Sequence, residues 1–68
     1  MGSAEFENRI REIEAKNQDF FKGKRIFSFF AFDPIKSSDK YVMTIYDNKG
    51  LPPNIRKEIQ DAFDKFLK

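Results

Sequence analysis

Four phenylalanines, Phe27, Phe29, Phe30 and Phe32, fall within six residues of the stretch RIFSFFAFDP, residues 25–34. Side chains alternate along an extended chain, so Ile26, Ser28, Phe30 and Phe32 would point one way and Phe27, Phe29 and Ala31 the other. Both faces of a strand over Arg25–Phe32 are then apolar. An antiparallel sheet sheltered on one side only is normally polar on its outer face. Each large aromatic brings roughly 150–250 Å² to be covered, so the run asks for cover on both sides.

The rest of the chain limits what can supply that cover. At 68 residues it makes one domain at most, of a size where a single core barely offsets chain entropy and a disulfide, a metal or a second subunit often helps. Cysteine and histidine are both absent, which removes disulfides and the usual zinc and copper ligand sets. No metal or cofactor is expected, and association is the remaining support.

The residues before the aromatic run have helical spacing. Phe6, Ile10, Ile13 and Phe20, with Asn17 in the gap, are four, three, four and three apart, which predicts a helix from about Ala4 to Lys22. Gly23 supplies a left-handed stop. Taken as a heptad, Phe6, Ile13 and Phe20 occupy d and Ile10 and Asn17 occupy a, where a buried Asn fixes register between two strands. Arg9 at g and Glu14 at the next e would attract each other across a parallel dimer.

The first strand is expected to end at Asp33-Pro34, and a loop through Ile35, Lys36, Ser37 and Ser38 follows. KYVMTIY, Lys40 to Tyr46, reads as a second strand, closed by the turn-prone Asp47-Asn48-Lys49-Gly50. The two strands should form an antiparallel hairpin. After Leu51-Pro52-Pro53-Asn54 a last helix is marked by Ile55, Ile59, Ala62, Phe63, Phe66 and Leu67 on one stripe, with Arg56, Lys57, Gln60, Asp61, Asp64 and Lys68 around the rest. The predicted fold is a small α+β domain in the order helix, strand, strand, helix, an antiparallel β-hairpin packed by two helices. Residues 1–6, with Gly-Ser and Glu-Phe as two restriction sites encode them, read as a cloning-derived leader, and 7–68 as the domain.

Catalytic constellations are not apparent. Ser28, Ser37, Ser38 and Thr44 have no activating motif, and the carboxylates, most of them on solvated helix faces, offer no distinguishable acid–base pair. Asp33 to Asp39 lacks the ligand alternation and central glycine of a calcium loop, and the scattered glycines build no phosphate cradle. An enzyme is not expected. The excess of 13 Lys and Arg over 11 Asp and Glu gives a net charge of +2, a weak pointer to nucleic acid. No stretch reads as a signal peptide or a membrane span, so the expected location is intracellular.

The expected function is protein–protein interaction or dimerisation, by a homodimer or with another chain that covers the aromatic hairpin. Ile10, Ile13 and Asn17 on the helix and Phe27, Phe29, Tyr41 and Tyr46 around the sheet are the expected interface. The alternative is a module for single-stranded nucleic acid, with Lys22, Lys24 and Arg25 as a basic lip beside exposed Phe rings. Through Phe30, Phe32, Asp33, Pro34 and the apolar strand from Tyr41 to Ile45, the chain resembles the small RWD-type heads that end coiled-coil kinetochore subunits. That family's additional strands have no counterpart here, and no function is carried over from the resemblance.

Overall fold

A computed structural model describes residues 2–37 and 40–67. Met1, Ser38, Asp39 and Lys68, to which parts of the leader, the hairpin loop, the carboxylate set and the last helix were assigned, lie outside the described residues.

Helix α1 runs over Gly2–Lys16, a short α2 over Gln18–Phe21, strand β1 over Phe30–Pro34, strand β2 over Tyr41–Ile45 and helix α3 over Pro53–Phe66. Single 3-10 turns precede β1 at Ile26–Ser28 and follow β2 at Asp47–Lys49. The strands pair antiparallel with Phe30 opposite Ile45, Phe32 opposite Met43 and Pro34 opposite Tyr41. The domain is α+β, with a two-stranded hairpin and helices packed against it.

α1 and α3 form the centre. They pack along each other in opposite directions, with Phe6 of α1 near Phe63 of α3 at 6.2 Å between ring centroids and Lys16 near Glu58 at 2.7 Å. The apolar stripes predicted on each helix meet here: Phe6, Ile10, Ile13, Ile55, Ile59, Ala62, Phe63 and Leu67 are all buried. The boundary expected after Phe6 is not a structural one. α1 runs through it, and Phe6 has no exposed surface because Phe30, Phe32 and Phe63 surround its ring.

The first helix is broken where the sequence reading continues it. Asn17 leaves the helical region at φ −122°, ψ 38°, and its side-chain amide donates to the Ile13 carbonyl at 2.8 Å. Its own carbonyl accepts the first bonds of α2, from Phe20 and Phe21 at 3.0 and 3.1 Å. Such local bonding competes with the continuing helix ladder, and the break rotates the stripe by a residue. Phe21 therefore enters the core where Phe20 was expected. Gly23, at φ +74°, is the left-handed stop that was expected after it.

The aromatic run is not one strand. Ser28 Oγ donates to the Arg25 carbonyl at 2.7 Å, and the Ser28 and Phe29 amides bond back to Arg25 and Ile26 at 3.0 Å, closing a 3-10 turn. The turn puts Ile26 and Phe29, three apart, on one side, and β1 then begins with Phe30 facing the same core. Neighbouring phenylalanines are thereby buried together. The hairpin proper has one apolar face, Phe30, Phe32, Tyr41, Met43 and Ile45, and an opposite face of Ala31, Asp33, Val42 and Thr44, so the doubly apolar sheet is corrected to a one-sided one.

Pro34 also continues the strand instead of ending it. It lies at a position whose amide would point away from β2, so its missing N–H removes no ladder bond, and the Ile35 amide still reaches the Lys40 carbonyl at 2.9 Å. At the other end Gly50, at φ +73°, turns the chain from β2 toward α3. Arg56 of α3 holds that turn through Asp47 at 2.6 Å.

Candidate protein-interaction surface

Side chains on the inner face of the hairpin are covered unevenly. Phe30 is buried under Phe6, whose ring meets it edge-on at 6.0 Å. Farther along, Phe32, Tyr41 and Met43 are only half-buried, as are Ile45 and, from the preceding turn, Phe27. Their rings touch in series: Phe27 lies 5.8 Å from Phe30, Phe30 stacks on Phe32 at 6.2 Å with an interplanar angle of 23°, and Phe32 lies 6.0 Å from Tyr41. Phe6 is the only residue of α1 whose ring contacts this row among the described residues, at 4.9 Å from Phe32. The result is an aromatic platform with partial cover.

Beside it, Val42 and Tyr46 on the outer face are the large apolar residues of β2 and its extension that stand in solvent, at 53% and 38% exposure. Ile35, at 41%, joins them at the far end of the hairpin.

The residues expected at an interface divide accordingly. Phe27, Tyr41 and Tyr46 retain surface on or beside the hairpin. Ile10 and Ile13 have none, being wholly enclosed in the core of their own chain, and Phe29, at 4% exposure, packs on Phe20 and Phe21. Asn17 is half-buried at the helix break, bonded within its own helix. The heptad seam is thus largely used within the chain; of its charged flanks, Arg9 pairs with Glu12 on the surface of its own helix at 3.0 Å, and Glu14 turns inward to the Ile26 amide. Phe32, Met43 and Val42 were not among the expected interface residues; the structure leaves Phe32 and Met43 half-buried on the inner face and Val42 exposed on the outer one.

Glu14 has a definite structural role. Its Oε2 accepts the Ile26 amide at 2.9 Å, with Arg25 Nε at 3.8 Å, tying the segment after α2 to the last turn of α1. Lys22, Lys24 and Arg25 are all exposed in that segment, around a shallow hollow that Arg11 also lines. The Lys24 ammonium lies over the Phe20 ring, 5.2 Å from its centroid, so this half-buried ring already has a cation upon it. Buried Phe29 offers no face for a base to stack on.

A second groove runs between α1 and α3, where Glu5, Glu12, Glu58 and Asp61 alternate with Arg9 and Lys65. Among the described residues no three acidic side chains converge as a metal site would need, and no helix is long and apolar enough to cross a membrane. Comparison of the chain with models of protein families, with curated proteins and with solved structures gives no match.

Proposed function

We propose that this chain is a non-catalytic protein-interaction module that assembles through its hairpin, the partner covering the aromatic platform. The observation that supports the reading most is the uneven burial: the helix pair closes its own core, while Phe27, Phe32, Tyr41 and Met43 stay half-covered with Val42 and Tyr46 exposed beside them. A two-stranded sheet is marginal by itself, and contiguous apolar surface of this kind marks interaction sites. The partner is another protein chain, in the simplest case a second copy.

Association with a copy makes stability depend on concentration, because mass action favours the folded dimer. Sedimentation equilibrium should find a dimer at micromolar concentration, and the melting temperature should fall over about a hundredfold dilution. A folded monomer with an unchanged melting temperature would overturn self-assembly.

A further inference from the structure

The hydrogen-bond phase of the hairpin determines what each edge presents. Tyr46 donates to the Phe29 carbonyl at 3.0 Å and Ile35 to the Lys40 carbonyl at 2.9 Å, so with this register Ala31 with Thr44 and Asp33 with Val42 are the bonded pairs between them. The alternate pairs, Phe30 with Ile45, Phe32 with Met43 and Pro34 with Tyr41, turn their backbone groups outward. The outer edge of β2 thus offers the N–H and C=O of Tyr41, Met43 and Ile45, which meet no partner among the described residues. The outer edge of β1 is poorer, because Pro34 has no N–H to give. β2 also lacks what usually blunts an edge: Tyr41–Ile45 contains no charge, proline or glycine.

We propose that two copies of this chain pair antiparallel along the free edge of β2, about a two-fold axis at Met43, to form one four-stranded sheet. This rests on the reading that a protein covers the hairpin, and it specifies the partner and the register. The three free positions are symmetric about Met43, so a single two-fold operation satisfies them all, Met43 with its counterpart and Tyr41 with Ile45 of the other copy, in about six hydrogen bonds. The strand carries no charge, so self-pairing sets no like charges against each other between Tyr41 and Ile45.

The same register gathers the exposed apolar residues. On the outer face Val42 comes opposite Thr44 of the other copy and diagonal to its Val42 and Tyr46, within reach of such side chains. These are the residues of β2 and its extension left at 53% and 38% exposure. On the inner face the half-buried Tyr41 and Met43 of both copies adjoin, making the two aromatic platforms continuous. An edge of five residues does not by itself reach the ~1,000 Å² that a stable interface needs, and these side chains extend the contact.

The test uses the full chain. Met43→Pro removes the outward donor at the axis while leaving the hairpin's own ladder intact, and Met43→Leu controls for the side chain. Sedimentation equilibrium should show the dimer dissociation constant of Met43→Pro raised about tenfold or more, as two lost hydrogen bonds imply, with Met43→Leu near the parent. In a mixed sample of isotope-labelled and unlabelled parent chain, NMR should find the Val42 α-proton close to the Thr44 α-proton of the other copy. That measurement decides the matter even if Met43→Pro does not fold. A monomeric parent would overturn both this register and self-assembly. A dimer with its cross-chain contacts elsewhere would overturn the β2 pairing alone and leave an assembling module.

Discussion

Phe6 and Phe63 hold the domain at the junction of its two helices and its hairpin. Phe6 is fully enclosed, with edge-on contacts to Phe30, Phe32 and Phe63, and Phe63 retains 8% exposure. Truncating a buried phenylalanine removes both its transfer free energy and its packing partners. Phe6→Ala and Phe63→Ala should each lower unfolding free energy by about 3–5 kcal/mol, most of what so small a domain has. Lys57, exposed on the far side of α3 and paired with Asp61 at 3.4 Å on the helix surface, should change stability by less than about 0.5 kcal/mol when made alanine. Chemical denaturation of the three variants distinguishes these outcomes. An unchanged midpoint for Phe63→Ala would mean that α3 is a docking ligand and not the core, and an unchanged midpoint for Phe6→Ala would restore the boundary after residue 6. The helical spacing of Phe6 with Ile10 and Ile13 already placed it on the apolar stripe of the first helix, and its burial there agrees with that spacing.

α3 was legible from its stripe because Ile55, Ile59, Ala62 and Phe63 repeat at helical spacing and are all buried, with α1 as the main neighbour. The hairpin was legible too, from two β-rich runs and the turn signals around them. What alternation could not reveal was a change of backbone inside the aromatic run. The Ser28 hydroxyl bond to Arg25 and the Asn17 amide bond to Ile13 are single local contacts, yet the first turn brings Phe29 into the core beside Ile26 and the second puts Phe21 where Phe20 was expected. Pattern counting assumes that the phase persists. Asn17 gives a direct test, because the coiled-coil alternative and the observed break predict opposite signs. At a buried a position Asn costs stability, so Asn17→Leu would stabilise a coiled coil. Here it removes the bond that ends α1 and favours carrying the helix onward, with Phe20 in the place of Phe21. Asn17→Leu should therefore destabilise the protein, by about 0.5–1.5 kcal/mol if only the hydrogen bond is lost. A rise in thermal stability would favour the heptad.

The charge and the packing density of the molecule both vary along its length, and each variation is measurable. Lys22, Lys24 and Arg25 concentrate positive charge in one exposed segment, but the net charge is only +2, Arg25 lies near Glu14, and the ring expected to stack, Phe29, is buried. A short single-stranded oligonucleotide should accordingly show no saturable binding near physiological salt; tight binding that falls steeply with added salt would favour the nucleic-acid alternative. Packing varies from the helix pair outward to the hairpin. Amides inside α1 and α3, around Ile10 and Ile59, open only when the core does, whereas the far end of the hairpin, near Ile35 with 41% exposure, can open locally. Hydrogen exchange on dilute protein should therefore be slowest in the helices, intermediate at Tyr46, whose amide bonds to buried Phe29, and fast at Ile35. Raising the concentration adds a second signal. The Met43 and Ile45 amides point away from β1 and should exchange fast in the monomer, then slow as chains associate along β2. Slow exchange at Met43 in a demonstrably monomeric sample would mean that the edge is already covered by its own chain, and equal protection at Ile35 and Ile59 would mean that the hairpin and helix pair open as one unit.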